Sequence, residues 1–170
     1  MPTPDVDAAA ILDALTRHGV HFVVIGGFAV ELHDVAVPPT QDIDITPDTS
    51  VDNLQRLAAA LNELNARLRV PDDPDGLPVP GGITPELLGQ MTAVTLVTDL
   101  GALDVSFSPS GTDGYRDLAQ NVIQMEYLGQ PVPVADLADV LRSKEAAGRE
   151  KDLKTIPAIR AHLRRRGSRG

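Results

Sequence analysis

The chain contains no cysteine, which excludes disulfides, zinc–thiolate centres and cysteine nucleophiles. It has no tryptophan, and aromatics make up only 3% of its 170 residues, so Leu, Val, Ile and Ala must build the core. No apolar run approaches the roughly 18 to 20 residues that span a bilayer. The opening residues, MPTPDVDAAA, are acidic where a secretory leader is basic, and no long apolar stretch follows them. The expectation is a cytoplasmic protein without a membrane partner. Positive charge is also scarce along most of the chain. The net charge is −9, but residues 142–170 hold 10 of the 15 basic residues and 3 of the 24 acidic ones, a local +7 that leaves −16 on the first 141. An acidic body with a basic tail suits a partner that brings phosphates to the tail. A solubilising terminal helix would have the same composition.

What is present is ordinary globular material, 42% hydrophobic and 23% charged, enough for one compact domain and too little for two. A single domain over 1–170 is expected, with a core over about 8–134 and a helical, basic C-terminal segment over about 135–170. Residues 8–18 read as a short amphipathic helix capped by Asp7 and stopped at Gly19. HFVVIGG reads as a buried strand ending in two glycines, and FAVELHDVA as a helix broken by Pro38-Pro39. In QDIDI the alternation puts Asp42 and Asp44 on one strand face, with Ile43 and Ile45 on the other. The leucines at 54, 57, 61, 64 and 68 predict one long helix from Val51 to Leu68. PDDPDGLPVPGG, 71–82, is expected to be loop without regular structure. A short helix should start at Thr84-Pro85-Glu86. Residues 91–108 should form two strands joined near Asp99–Gly101, with Asp104 on the second. After a weak helix at YRDLAQNV and a strand or hairpin turning at Gly129, helices close the chain from Ala135 onward.

Several of these residues carry chemistry. Gly26-Gly27, at the end of a strand, leaves backbone N–H groups unshielded for a phosphate; a tight turn without a ligand reads the same way. Asp42 and Asp44, two residues apart on a strand, have Cα atoms roughly 6 to 7 Å apart, within reach of one divalent cation or a close pair. Two solvated acids on an edge strand are the alternative. Asp104 sits in an otherwise apolar strand, where an unpaired carboxylate is costly to bury; a metal would offset that cost, and so would an outward-facing position. With Asp42 and Asp44 it would complete a three-carboxylate site of the kind used in two-metal phosphoryl or nucleotidyl transfer. Lys144 could hold triphosphate oxygens, and Asp152 could orient Lys144, Arg149 or Lys151; ordinary surface charge pairs would look alike. Thr40, two residues before Asp42, is expected on the same face if the strand extends back to it. A phosphate added there would place about −1.5 to −2 charges beside Asp42, an off-switch; a turn hydroxyl after Pro38-Pro39 is the plainer role. The four histidines show no metal-site spacing, and no Ser-His-Asp arrangement or Walker-type loop occurs.

Taken in order, a strand, Gly-Gly, a helix, Thr-x-Asp-Ile-Asp on a strand, a long helix and a third Asp on a later strand resemble the DNA polymerase β nucleotidyltransferase superfamily. The C-terminal stretch VADLADVLRSKEAAGREKDLKTIPAIRAHL resembles the Ser-Lys…Gly-Arg-x-Lys-Asp ending of the AbiEii-like nucleotidyltransferase toxins, including the MenT-type toxins. The two resemblances cover roughly residues 20–46 and 92–163. They imply an α/β fold of nucleotidyltransferase type, a small mixed sheet backed by helices with a helical C-terminal segment. They also imply a two-ion Mg²⁺ site on Asp42, Asp44 and Asp104, triphosphate contacts from Gly26, Gly27 and Lys144, and Asp152 near Lys144. The implied activity is transfer of a nucleoside monophosphate from an NTP to the 3′ end of tRNA, which would block translation, and the implied partner is a cognate antitoxin. Arg164, Arg165 and Arg166 would supply RNA phosphate contacts. The chain departs from the superfamily pattern in having Gly27 where a Ser hydroxyl is usual and in a 14-residue spacer from Gly27 to Asp42. Two rivals remain: an enzyme that modifies an aminoglycoside- or lincosamide-type antibiotic, for which the acidic body suits a cationic drug, and a non-catalytic binding module.

Overall fold

A computed structural model describes residues 5–168. The elements run α1 (Ala8–Arg17), β1 (Phe22–Ile25), α2 (Gly26–Leu32), β2 (Asp42–Pro47), α3 (Val51–Glu63), β3 (Arg67–Val70), β4 (Asp73–Leu77), α4 (Pro85–Gly89), β5 (Ala93–Thr98), β6 (Gly101–Ser106), α5 (Tyr115–Ala119), β7 (Ile123–Tyr127), β8 (Gln130–Val134), α6 (Leu137–Ala147) and α7 (Glu150–Gly167). The strands form one mixed sheet in the order β4-β3-β5-β6-β2-β1-β8-β7. Its centre sets the site. β2 runs parallel to β6, with Ile43 opposite Leu103 and Asp44 opposite Asp104, and β1 lies antiparallel on the other side of β2.

Because strand side chains alternate, that register sorts the residues cleanly. Val24, Ile43, Ile45, Leu96 and Leu103 are paired neighbours on one face. All are fully buried, together with Leu12 and Leu15 of α1 and Leu57 and Leu61 of α3. Each such side chain contributes about 1.5–3 kcal/mol by leaving water, so this leucine–isoleucine layer holds the strands in register without help from large aromatics. The opposite face receives Asp42, Asp44 and Asp104.

Local signals set the helix boundaries. Asp7 accepts from Ala10 N, Ser50 from Asn53 N and Asp136 from Ala138 N, so α1, α3 and α6 begin at capped ends. α6 stops at Gly148, whose φ of +60° is left-handed, a conformation glycine adopts freely. That turn folds α7 back against α6 and brings Asp152 beside Lys144.

Two expectations are corrected. The long helix does not reach Leu68: α3 ends at Glu63, and Asn65 takes a left-handed φ of +53°. Asparagine tolerates that conformation better than most residues. Leu68 instead pairs with Leu96 in the sheet, so the leucine spacing continues past the helix by coincidence. Nor is 71–82 wholly irregular, since β4 forms a hairpin with β3 that shifts register between Leu68 and Val70. Pro74 is tolerated there because β4 is an edge strand.

Candidate active site

The sheet supplies one wall of the site. Asp42, Asp44 and Asp104 each offer a carboxylate oxygen, and these oxygens lie within 4.8 Å of one another. The cause is the register: neighbouring strands are about 4.8 Å apart, and Asp44 and Asp104 are directly paired. Burial, and then the charges of Asp104 and Asp42, push the Asp44 carboxyl up to about 7. Burial likewise pushes Asp104 up to about 6 even though Arg69 pulls it down. One oxygen of Asp104 is buried and receives no hydrogen bond. Three hard-oxygen donors that repel one another, one of them without a hydrogen-bond donor, suit a divalent cation of the magnesium class. The residues fit such an ion.

Two elements before β2 close around these carboxylates. Gly26 has φ +68°, and a Cβ there would run into the Asp44 carboxylate, so no side chain fits between the β1–α2 turn and Asp44. A Cβ on Gly27 would come within 3.2 Å of the Thr40 hydroxyl. β2 starts only at Asp42, so Thr40 is not placed by strand alternation as expected. It reaches the site through a turn instead: its hydroxyl donates to Asp42 Oδ1 at 3.0 Å, and its backbone N–H donates to Glu31 Oε2 of α2 at 3.0 Å. Nothing in the local sequence pattern marks Glu31 for this role.

Helices α6 and α7 supply the other wall. Lys144, only 11% exposed at its side chain, points its ammonium at Asp152 Oδ1, 3.3 Å away. Arg149 donates to Asp152 Oδ2 at 2.8 Å through Nε. Asp152 is fully buried. Burial alone would push its carboxyl up, but the Arg149 hydrogen bond and the Lys144 charge outweigh that and hold it below the usual range. Lys151 lies near enough to Asp44 to oppose the rise of that carboxyl. Between the walls is a cleft of about 320 Å³ lined by Gly26, Asp44, Asp104, Lys144, Arg149 and Lys151 among others.

The structure therefore brings Gly26, Asp42, Asp44, Asp104, Lys144 and Asp152 together, with Gly27 and Thr40 at the edge. It leaves Arg164, Arg165 and Arg166 elsewhere. They are exposed on the last turns of α7, about 18 Å along the helix from Asp152 at 1.5 Å per residue. Sequence reasoning misses one further residue. Arg69 of β3 places Nη2 2.8 Å from Asp104 Oδ1. Its signal is the alternation of RLRV, which is hidden when that stretch is read as the end of a helix.

With this geometry in hand, the known structures give the frame. The chain superposes on the crystal structure of the lincosamide antibiotic adenylyltransferase LnuA bound to lincomycin, with a TM-score of 0.63 and 16% identity, covering 94% of this chain and 99% of that one. It superposes on the solution structure of the antibiotic-resistance factor ANT(2'')-Ia at a TM-score of 0.58 and 15% identity, over 91% of this chain and 81% of that one. A crystal structure of ANT(2'')-Ia with adenylyl-2''-tobramycin gives 0.53 and 14%, over 90% and 85%. The fold is that of the nucleotidyltransferases. No protein-family model matches the sequence, and no curated protein matches it either. Among the described residues, no helix is long and apolar enough to cross a membrane.

Proposed function

We propose that this protein is a divalent-metal-dependent nucleotidyltransferase that joins a nucleoside monophosphate from an NTP to an acceptor hydroxyl and releases pyrophosphate. One observation carries the reading: three carboxylates converge on the sheet, and two of them, Asp44 and Asp104, line one cleft with three cationic side chains from the helices. A triphosphate needs both, since its charge is neutralised partly by metal and partly by fixed cations. A Mg²⁺ pair held by Asp42, Asp44 and Asp104 would neutralise charge on the reacting phosphates and lower the pKa of the acceptor hydroxyl. Lys144, Arg149 and Lys151 bind the non-reacting phosphates. Asp152, paired with both Lys144 and Arg149, holds them at the cleft. Asp104, the third carboxylate, helps draw off the proton of the acceptor hydroxyl. A binding module would have no need to hold three carboxylates at this electrostatic cost.

For the acceptor we favour the 3′ end of tRNA. The basic end of α7 supports this reading, as does the C-terminal sequence resemblance to the toxin family; a cognate antitoxin and action in the cytoplasm belong to the same proposal. A second reading, modification of an antibiotic of lincosamide or aminoglycoside type, is supported by the likeness of the fold to LnuA and ANT(2'')-Ia. Incubation with Mg²⁺, each labelled NTP, and either total tRNA, lincomycin or an aminoglycoside separates the two. Label must appear on tRNA for the first reading and on the drug for the second, and label on neither overturns nucleotidyl transfer to these classes.

The Thr40 hydroxyl is part of the same proposal. Because it already bonds Asp42, a phosphate on it would bring about −1.5 to −2 charges against a metal-binding carboxylate. Thr40→Glu should abolish transfer, and Thr40→Ala should slow it only about threefold to tenfold, the worth of about one hydrogen bond. Equal rates in the two variants would remove Thr40 from the site.

A further inference from the structure

Arg69 has no part in the reaction outlined above, although it stands beside Asp104. Arg69 Nη2 lies 2.8 Å from Asp104 Oδ1, yet that oxygen receives no hydrogen bond. The Nη2 donor is directed instead at Leu96 O, 3.2 Å away. The guanidinium thus stands beside the carboxylate as a charge, without the paired donors of a fitted fork. Its side chain is 34% exposed. The face of β5 that it crosses is open, since Ala93 and Thr95 are both exposed. A partly exposed side chain beside an open strand face has room to leave Asp104 for solvent, at the cost of its one hydrogen bond to Leu96 O.

We propose that Arg69 is the resident counter-ion of Asp104: it offsets part of the carboxylate charge in the metal-free protein and gives way when a divalent cation binds. The inference rests on the metal-site reading made above. A cation at the roughly 2.0–2.1 Å bonding distance of magnesium from a carboxylate oxygen would sit about 4 Å from a guanidinium held 2.8 Å from the same group. Like charges that close, on a partly buried carboxylate, disfavour joint occupancy. Arg69 is therefore a positioning residue with two opposed effects: it stabilises the metal-free fold and weakens metal affinity.

The test is calorimetric titration of Mn²⁺ into the full-length protein at pH 8, with thermal midpoints measured before and after metal. Arg69→Gln should bind Mn²⁺ roughly tenfold more tightly than wild type, the effect of removing one nearby positive charge. Arg69→Lys, which keeps the charge, should bind like wild type. The metal-free midpoint of Arg69→Gln should fall below wild type, and the gap should close at saturating Mn²⁺. Unchanged or weaker affinity, with equal loss of midpoint in both states, would show a merely structural arginine and overturn the proposal. Should Arg69→Gln not fold, ¹⁵N spectra of the wild-type arginine Nε groups decide the matter: the Arg69 signal must move on adding Mg²⁺, and a stationary signal overturns the proposal. Mn²⁺ binding that Asp104→Asn removes and Arg69→Gln leaves unaltered defeats the counter-ion alone. Absence of Mn²⁺ binding in wild type defeats the metal-site reading with it.

Discussion

The two walls of the cleft are electrostatic opposites. On the sheet, Asp42, Asp44 and Asp104 crowd together with one partial counter-ion, and two of the three carboxyls are pushed up. On the helices, Asp152 is also shut off from solvent, yet it is held below its usual range because Arg149 and Lys144 bracket it. Burial raises the carboxyls on both walls, so burial alone does not decide the direction of the shift. The difference is whether the fold itself supplies the opposite charge. Where it does, the group is scaffolding; where it does not, the group keeps its proton or takes a positive charge from outside. On the proposed function, that contrast would give the cleft its direction, with metal at the sheet and phosphate at the helices.

The contrast breaks most completely at Asp44. Asp44→Asn removes a charge that the metal-free fold tolerates badly but that a bound cation needs. Transfer should fall by at least about 100-fold, and retention of more than about a tenth of the wild-type rate would refute the assignment. Stability should move the other way. The native Asp44 carboxyl, at about 7 against an ordinary value of 3.8, holds its proton more tightly than the unfolded chain does. Its contribution to stability is complete below about pH 4 and is lost as pH rises towards 7. The metal-free wild type should therefore lose several degrees of thermal midpoint between pH 5 and pH 8. Asp44→Asn should flatten that slope and melt higher than wild type at pH 8. Calorimetric scans of both proteins in chelator check this.

Asp152→Asn tests the other wall and should have the opposite signature. Removing the acid leaves Lys144 buried without its partner, which costs about 2–3 kcal/mol, less than a fully buried pair because Arg149 remains largely in water. The midpoint should fall at every pH between 5 and 8. KM for the NTP should rise about tenfold as Lys144 and Arg149 lose their aim, with a smaller effect on kcat. If Asp152→Asn instead melts like wild type, the helical wall is not the self-satisfied half of the comparison.

How much of this is legible in the sequence follows the range of the forces involved. QDIDI and ALDVSF announce their strands and the direction of Asp42, Asp44 and Asp104, because alternation is a local property that a central, one-sided strand must obey. Lys144 and Asp152 are legible as candidates, but their pairing depends on the turn at Gly148. Residues 64–77 mislead for a physical reason. Leu64 and Leu68 keep a helical interval, whereas the left-handed Asn65 that separates α3 from β3 is a single-residue event without periodicity. Arg69 disappears with that boundary. Its approach to Asp104 crosses β5 and joins residues 35 positions apart, which no local pattern records. Glu31 is hidden in the same way, since it acts through the backbone of Thr40 across a bend.

The smallest effect is expected far from both walls. Arg164, Arg165 and Arg166 are exposed at the end of α7, about 18 Å along the helix from Asp152, so they can neither hold the metal nor reach a nucleotide bound in the cleft. If tRNA is the acceptor, these arginines can only extend the surface on which it lies. Replacing all three with Gln should leave the thermal midpoint and the KM for NTP unchanged, because the side chains are solvated. RNA binding should weaken, and its salt dependence should become shallower by roughly 0.7 for each single-strand phosphate that is no longer neutralised, or about 0.9 for duplex. Filter binding of tRNA between about 50 and 300 mM salt reads that slope directly. A slope that drops by about two, with NTP handling intact, places the acceptor along α7 and favours RNA over a small drug. An unchanged slope would make the arginines a solubilising end and shift the weight to the antibiotic reading, since a drug-sized acceptor needs no contact along α7.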